Sequence, residues 1–315
     1  MANLRDLRLR MRAIRQTLQV TKAMNLISTS KLRKGRRVLE DTEPYFTRIQ
    51  KLMFDVISCV GRVESAFFKS KSTENAPATA TPMAGALSAG VAGKPSHTAI
   101  VAISSDKGLA GGYNANIFRQ ANELCEKVSD PALVLIGSIG YRYFSHTPRV
   151  ILEKFSYHSQ LPTLENAKEI ADYLISLYLS GDVKEVYIVY THMYSTIKLV
   201  PTINHILPLD MDEIQAELSS MGNEKRVELK FEFIPSEEEV FDALVPQYIK
   251  GVIYGSMIEA YASEQSARMT AMDEASKSAE EMLGDLQISY NRARQAGITQ
   301  EMSEIIGGSA ALAGR

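Results

Sequence analysis

The sequence predicts an α/β fold joined to a coiled coil: a long antiparallel two-helix coiled coil made by the N- and C-terminal helices, with a central Rossmann-like α/β domain. Three observations predict it. One apolar heptad runs from Leu4 to Leu39, a second runs from Leu244 to Gly297, and between them short apolar runs alternate with amphipathic segments. The expected divisions are a first coiled-coil helix over 1–69, a loop over 70–96, the α/β domain over 97–235 and a second coiled-coil helix over 236–315.

The first helix follows from alternating steps of three and four. They connect Leu4, Leu7, Met11, Ile14, Leu18, Thr21, Asn25, Ser28, Leu32, Gly35 and Leu39, the 3.5-residue repeat of a supercoiling helix. Midway the stripe turns polar while Val20, Met24 and Ile27 form an apolar set, which predicts a seam that rotates around the helix. Residues 1–37 also hold eleven Lys/Arg against the single acid Asp6, a charge of +10 within a chain whose net charge is -2. Such a segment points to an anionic partner, whether nucleic acid, anionic lipid or an acidic protein surface.

Of the 27 residues from Ser70 to Ser96, 20 are Ala, Gly, Ser, Thr or Pro, without hydrophobic periodicity, and this composition predicts a flexible exposed loop. Strands are expected at Ala99–Ile103, Leu133–Ile136, Val150–Phe155, Val186–Tyr190, Thr196–Ile206 and Val227–Phe233. Helical spacing fills the gaps, most clearly over Asn114–Val128 and Leu164–Leu179. Strands and helices in this alternation give a doubly wound parallel sheet.

A capping box at Ser236 and Glu239 starts the last helix, and Pro246 is expected to kink or restart it. From there to about residue 312 no proline intervenes, enough chain for roughly 100 Å of helix at 1.5 Å per residue. Its seam runs Leu244, Tyr248, Gly251, Gly255, Ile258, Ala262, Gln265, Met269, Met272, Ser276, Ala279, Leu283, Leu286, Tyr290, Ala293 and Gly297. The small residues at Gly251, Gly255, Ala262 and Ser276 are expected to let the two helices approach closely. A domain that reverses the chain between two such helices makes their pairing antiparallel.

Several functions lack their signatures. No apolar run reaches the length of a membrane-spanning helix, and the N-terminus lacks the apolar core of a secretory signal, so Met1 is expected to be the mature start. Cys59 and Cys125 lie in apolar helical patterns and are expected to be buried thiols. The histidines at 97, 146, 158, 192 and 205 show no metal-ligand spacing, so neither a metal nor a cofactor is expected, and no catalytic residues are assigned. The acidic runs Glu237–Glu239 and Glu280–Glu281 read as solvated helix faces. The turn Ser104 to Asn114 carries glycines between a strand and a helix, where a phosphate can bind, yet it fits neither the dinucleotide fingerprint nor the P-loop.

Three stretches resemble one known family. Thr21-Lys22-Ala23-Met24 with Ser28-Thr29-Ser30-Lys31-Leu32-Arg33-Lys34 is similar to the N-terminal motif of the gamma subunits of F-type (bacterial) ATP synthases. Ser105-Asp106-Lys107-Gly108-Leu109-Ala110-Gly111-Gly112-Tyr113-Asn114 resembles the signature that opens their α/β domain. The third stretch is the most specific: Ala267 to Met272, then Ser289 to Gln295, then Ile298 to Gly308. The resemblance covers essentially the whole chain outside 70–96, a segment longer than the family norm; Ser309 stands where the family usually has alanine.

The resemblance implies a non-catalytic central rotor shaft that couples transmembrane ion flow to ATP synthesis or hydrolysis by rotation. The implied partners are the alpha and beta subunits of the catalytic head, one copy per three of each, the epsilon subunit, and the membrane rotor ring of c subunits, with no nucleic acid. The implied location is peripheral, on the cytoplasmic face of a bacterial cell membrane. By similarity Met24, Arg268, Arg294, Gln295, Thr299 and Glu301 match positions that touch the head. Chloroplast-type relatives carry a switch of two nearby cysteines; this chain has no such pair, so reduction is expected to leave the ATPase activity of the assembled complex unchanged. Two alternatives stand beside this reading: a coiled-coil nucleic-acid binder using the basic helix, and a nucleotide-binding enzyme on the α/β domain.

Overall fold

Hydrophobic periodicity fixes the elements of the chain, and a computed structural model describes residues 4–60, 67, 97–157, 161–209 and 237–313. The expected loop 70–96, the strand Val227–Phe233, Ser236 of the capping box, His158 and the side chain of Cys59 lie outside the described residues.

In order the elements are α1 (Leu4–Val60), β1 (His97–Ile103), α2 (Tyr113–Lys127), β2 (Pro131–Ile136), α3 (Ser138–Phe144), β3 (Val150–Phe155), α4 (Leu164–Leu179), β4 (Val183–Met193), β5 (Leu199–Leu207) and α5 (Glu237–Ala313). They form two compact units, one of Lys31–Ala267 and one of Met1–Ser30 with Arg268–Arg315.

In the Lys31–Ala267 unit the five strands lie in the order β3-β2-β1-β4-β5. The first four are parallel and β5 returns antiparallel to β4. Parallel strands need helical crossovers, and the crossovers cover both faces of the sheet. β1 shows the consequence in its alternation: Ala99, Val101 and Ile103 pack with α4 and α5, while Ile100 and Ala102 pack with α2 and α3. α4 begins on a built cap, since Thr163 Oγ1 accepts from the Asn166 amide and the Asn166 side chain accepts from the Thr163 amide. Residues 196–198, expected in a strand, instead turn the chain between β4 and β5, closed by the Ser195 amide donating to Lys198 O at 3.3 Å.

Residues 31–60 of α1 and 237–267 of α5 belong to the same unit and run antiparallel, with Gly35 against Tyr261 and Ala262, and Phe46 beside Gly251 and Tyr254. A Cβ on Gly251 would stand 2.7 Å from the Phe46 ring, so the close approach expected there is real. Gly255 is different: nothing lies within 4 Å of its notional Cβ, and it serves no close approach. α5 passes through Pro246 as one continuous helix, so the expected restart does not occur. A helix whose surroundings bury Val245 and Ile249 on either side has tertiary packing to offset one missing hydrogen bond.

Candidate partner interface

The unit of Met1–Ser30 and Arg268–Arg315 is an antiparallel helix pair. Arg8 meets Tyr290, donating from Nη2 to the hydroxyl at 2.7 Å, and Lys22 meets Glu280 at 2.6 Å. Leu7, Met11, Thr21 and Ser28 of α1 are buried, as are Met272, Ser276 and Ala279 of α5. The heptad phase therefore continues unbroken through its polar stretch.

This corrects the expectation of a rotating seam. Val20 and Ile27 are each 57% exposed and Met24 is half-buried, whereas the hydroxyl residues between them face the partner helix. Burying Thr21 and Ser276 is cheap because each finds a carbonyl one turn back, Thr21 reaching Leu18 O at 3.1 Å and Ser276 reaching Met272 O at 2.7 Å; half-buried Thr29 likewise reaches Asn25 O at 2.9 Å. Asn25 Nδ2 crosses to Met269 O at 3.0 Å and fixes the register of the pair.

The six residues matched by similarity fall into two groups. Asn25 to Met269 sets the turn carrying Met24 opposite the turn carrying Arg268, which is 7% exposed. Arg294, Gln295, Thr299 and Glu301 are exposed on α5, about 40 to 50 Å farther along at 1.5 Å per residue. Thr299 Oγ1 donates to the main-chain Gln295 O at 2.9 Å.

The helix pair also exposes apolar residues off the seam: Val20, Leu26 and Ile27 on α1, and Ile298, Met302 and Ile305 on α5. They form two exposed apolar groups at different levels of the pair, and exposed apolar surface beside charge marks an interaction surface. The signal was present in the sequence as apolar residues outside the heptad. Arg5, Arg10, Arg12 and Arg15 are exposed on α1 to the N-terminal side of Val20.

The glycine turn after β1 is the other site that sequence singled out, and it is tied by hydrogen bonds to itself and to the start of α3. Ser105 N–H donates to Asn114 Oδ1 at 3.0 Å, Ile139 N–H to Ser105 O at 3.1 Å, and Gly140 N–H to Ser104 Oγ at 2.9 Å. Ser138 N–H, at the start of α3, donates to Asp106 Oδ1 at 2.8 Å, and the Ser156 hydroxyl donates to the same oxygen at 3.0 Å. A carboxylate of the chain itself thus stands at the first amide of α3. Gly137 holds φ at +95° there, and a Cβ on it would stand 2.3 Å from Ser104 O. The neighbouring pocket, lined in part by Ser104, Tyr113, Tyr157, Tyr261 and Glu264, encloses about 50 Å³, far below the roughly 300 Å³ at which ligand sites begin.

Among the described residues no cluster of His, Cys, Asp or Glu could hold a metal, and no helix is long and apolar enough to cross a membrane. His97 pairs with Asp130 at 2.8 Å and His192 with Glu259 at 2.6 Å. Cys125 is buried on the core face of α2, and burial pushes its thiol pKa up, which makes it a packing residue.

A family model described as ATP synthase matches residues 3–312. The ATP synthase gamma chain of Ruminiclostridium cellulolyticum is 41% identical over 311 residues, 98% of this chain and 99% of that one. The ATP synthase gamma chain of Acetivibrio thermocellus is 38% identical over 313 residues, 99% of this chain and 100% of that one. A chain in the cryo-EM structure of the Euglena gracilis mitochondrial ATP synthase (OSCP/F1/c-ring, rotational state 3) shares the fold, with a TM-score of 0.63 at 15% identity over 98% of this chain and 94% of that one. Identity at this level along the full length, on a helix pair and a doubly wound sheet in the same chain, means that the protein belongs to the ATP synthase gamma-chain family.

Proposed function

We propose that this chain is the central rotor shaft of an F-type ATP synthase, coupling ion flow across the membrane to ATP synthesis or hydrolysis in the catalytic head by rotation. The observation that carries the reading is full-length membership of the gamma-chain family. The helix pair supports it: its seam is satisfied internally, while Val20, Leu26, Ile27, Ile298, Met302 and Ile305 face outward without a partner helix. A shaft needs such an asymmetric exterior, because subunits placed around it can sense its angle only if its sides differ.

In this reading the chain is non-catalytic and stands as one copy among three alpha and three beta subunits. Met24 and Arg268 touch the head at one level, and Arg294, Gln295, Thr299 and Glu301 touch it at another. The exposed arginines of α1 face acidic loops of the head, where long-range attraction positions the shaft and individual exposed pairs contribute little fixed affinity. The epsilon subunit and the c ring bind the α/β unit, and the complex sits peripherally on the cytoplasmic face of a bacterial membrane. The nucleic-acid and enzyme readings have no comparable full-length family match, and the pocket beside the glycine turn encloses only about 50 Å³.

Coexpression with the alpha and beta subunits tests the proposal. The chain is expected to copurify as one copy per six head subunits, and actin filaments attached to its α/β unit are expected to turn during ATP hydrolysis. Removal of residues 289–315 is expected to lower ATPase activity and rotation. A chain that stays free of the head, or filaments that never turn with the full-length chain, would overturn it.

A further inference from the structure

We propose that the turn between β4 and β5, residues 194–198, is a docking knob for another subunit of the same complex, one that offers an apolar pocket with an acidic rim. The inference rests on the shaft reading above and assigns a contact to the α/β unit that the six matched residues do not include.

Ile197 stands at the tip and is 93% exposed, with Tyr194 beside it at 64%. A lone exposed isoleucine on a loose loop would mean little. This one is held rigidly. Ser195 Oγ accepts from the Ile197 amide at 3.3 Å and from the Lys198 amide at 3.0 Å, which closes the turn from inside. Four further contacts tie the hairpin to α5: Ser266 Oγ donates to Thr196 O at 2.7 Å, Ser263 Oγ donates to Thr191 O at 2.9 Å, and Glu259 Oε1 takes both His192 Nδ1 at 2.6 Å and the Met193 amide at 3.3 Å. The ring of Tyr194 packs edge-on to His192 at 4.4 Å between centroids.

A preorganised apolar tip loses little conformational entropy on docking, so more of its burial appears as affinity. The charge chooses the partner. From Tyr190 to Val200 the only formally charged side chain is Lys198, whose ammonium lies 5.1 Å from the Tyr194 ring centroid, and there is no acid in that stretch. The complementary surface is an apolar pocket bordered by carboxylates. A lipid surface fits less well, because peripheral membrane binding draws on several clustered cations or a broad apolar face, and this tip offers one cation, Lys198, and two exposed apolar side chains, Ile197 and Tyr194.

The test places a benzophenone amino acid at 197 in the full chain within the purified complex. One crosslinked product with a single other subunit is expected, at about tenfold or more above the yield from the same probe at Leu179, which is 56% exposed and lies before the opposite end of β4. Ile197→Asp is expected to lower retention of that subunit about tenfold on dilution, Lys198→Glu to lower it in a salt-dependent way, and Ile197→Leu to restore it. A yield at the Leu179 level, a product with lipid, or retention unchanged by Ile197→Asp would overturn the knob. Copurification of the alpha and beta subunits in the same samples reports separately on the shaft, and its loss with the unaltered chain would remove both readings.

Discussion

Ser276 Oγ lies 2.8 Å from Thr21 Oγ1 across the helix pair, and each hydroxyl is also within reach of a carbonyl of its own helix. The seam is polar at this level without leaving either group dependent on the other. Replacing both partners by apolar groups of similar shape, Thr21→Val with Ser276→Ala, is expected to change stability by less than about 1 kcal/mol, in either direction. A double-mutant cycle in urea should give a coupling below about 1 kcal/mol. A larger coupling would mean that the inter-helix bond, not the local carbonyls, satisfies the pair.

Two glycines of α5 that look alike in sequence are expected to respond oppositely. Gly251→Ala drives a methyl to 2.7 Å from Phe46, whose ring is held by Tyr45 and Tyr254, and should destabilise by about 1–3 kcal/mol. Gly255→Ala meets nothing within 4 Å and should gain up to about 1 kcal/mol from helix propensity. Thermal unfolding of the two variants side by side checks the contrast, and Phe46→Leu should recover much of the loss at 251.

The Asp106 carboxylate and the small neighbouring pocket make two expectations. Asp106→Ala removes the acceptor of Ser138 N–H and Ser156 Oγ and should cost about 1–2 kcal/mol, like the loss of a helix cap. ATP or phosphate at millimolar concentration should leave the unfolding temperature of the isolated wild-type chain unchanged, because a ligand that does not bind the native state cannot stabilise it. A rise with added nucleotide would reopen the enzyme reading.

Alkaline pH should weaken the α/β unit. Burial, then the Glu169 charge and hydrogen bond, hold the Tyr157 phenol well above its ordinary value of 10.0; burial also raises Tyr173, Tyr178 and Tyr254. The folded chain keeps these protons after the unfolded chain has released them. Stability that is complete below about pH 10 is therefore lost as the pH rises beyond it. Urea midpoints measured between pH 8 and about 11.5 should fall only in the upper part of that range. Tyr157→Phe should make the fall shallower, while costing under about 1 kcal/mol at neutral pH through the lost Glu169 bond.

Much of this was legible in the sequence. Val150–Phe155 and Leu164–Leu179 have the bounds expected from periodicity, and the heptad from Leu7 to Leu32 is the buried face. What periodicity could not settle was which stripe faces inward where the seam turns polar. Val20 and Ile27 have the apolarity of core residues, but the burial of Thr21 and Ser276 is permitted by main-chain carbonyls that no side-chain pattern displays. α3 was not singled out for a related reason. Seven residues carry little periodicity, and its start is capped by Asp106, 32 positions earlier in the chain. The surplus apolar residues of the helix pair were visible as letters, but only their exposure separates a second surface from a second core.

The carboxylate of Asp106 gives the α/β unit a tethered substitute for a bound anion. Because the group is covalently attached, its effective concentration never varies, and the start of α3 is occupied whatever the cell's supply of phosphates. In a machine whose substrate is a nucleotide, a base that had kept an open phosphate cradle would stiffen and soften with the ATP level it helps to set. Internal occupancy removes that feedback and leaves the mechanical properties of the part independent of metabolic state.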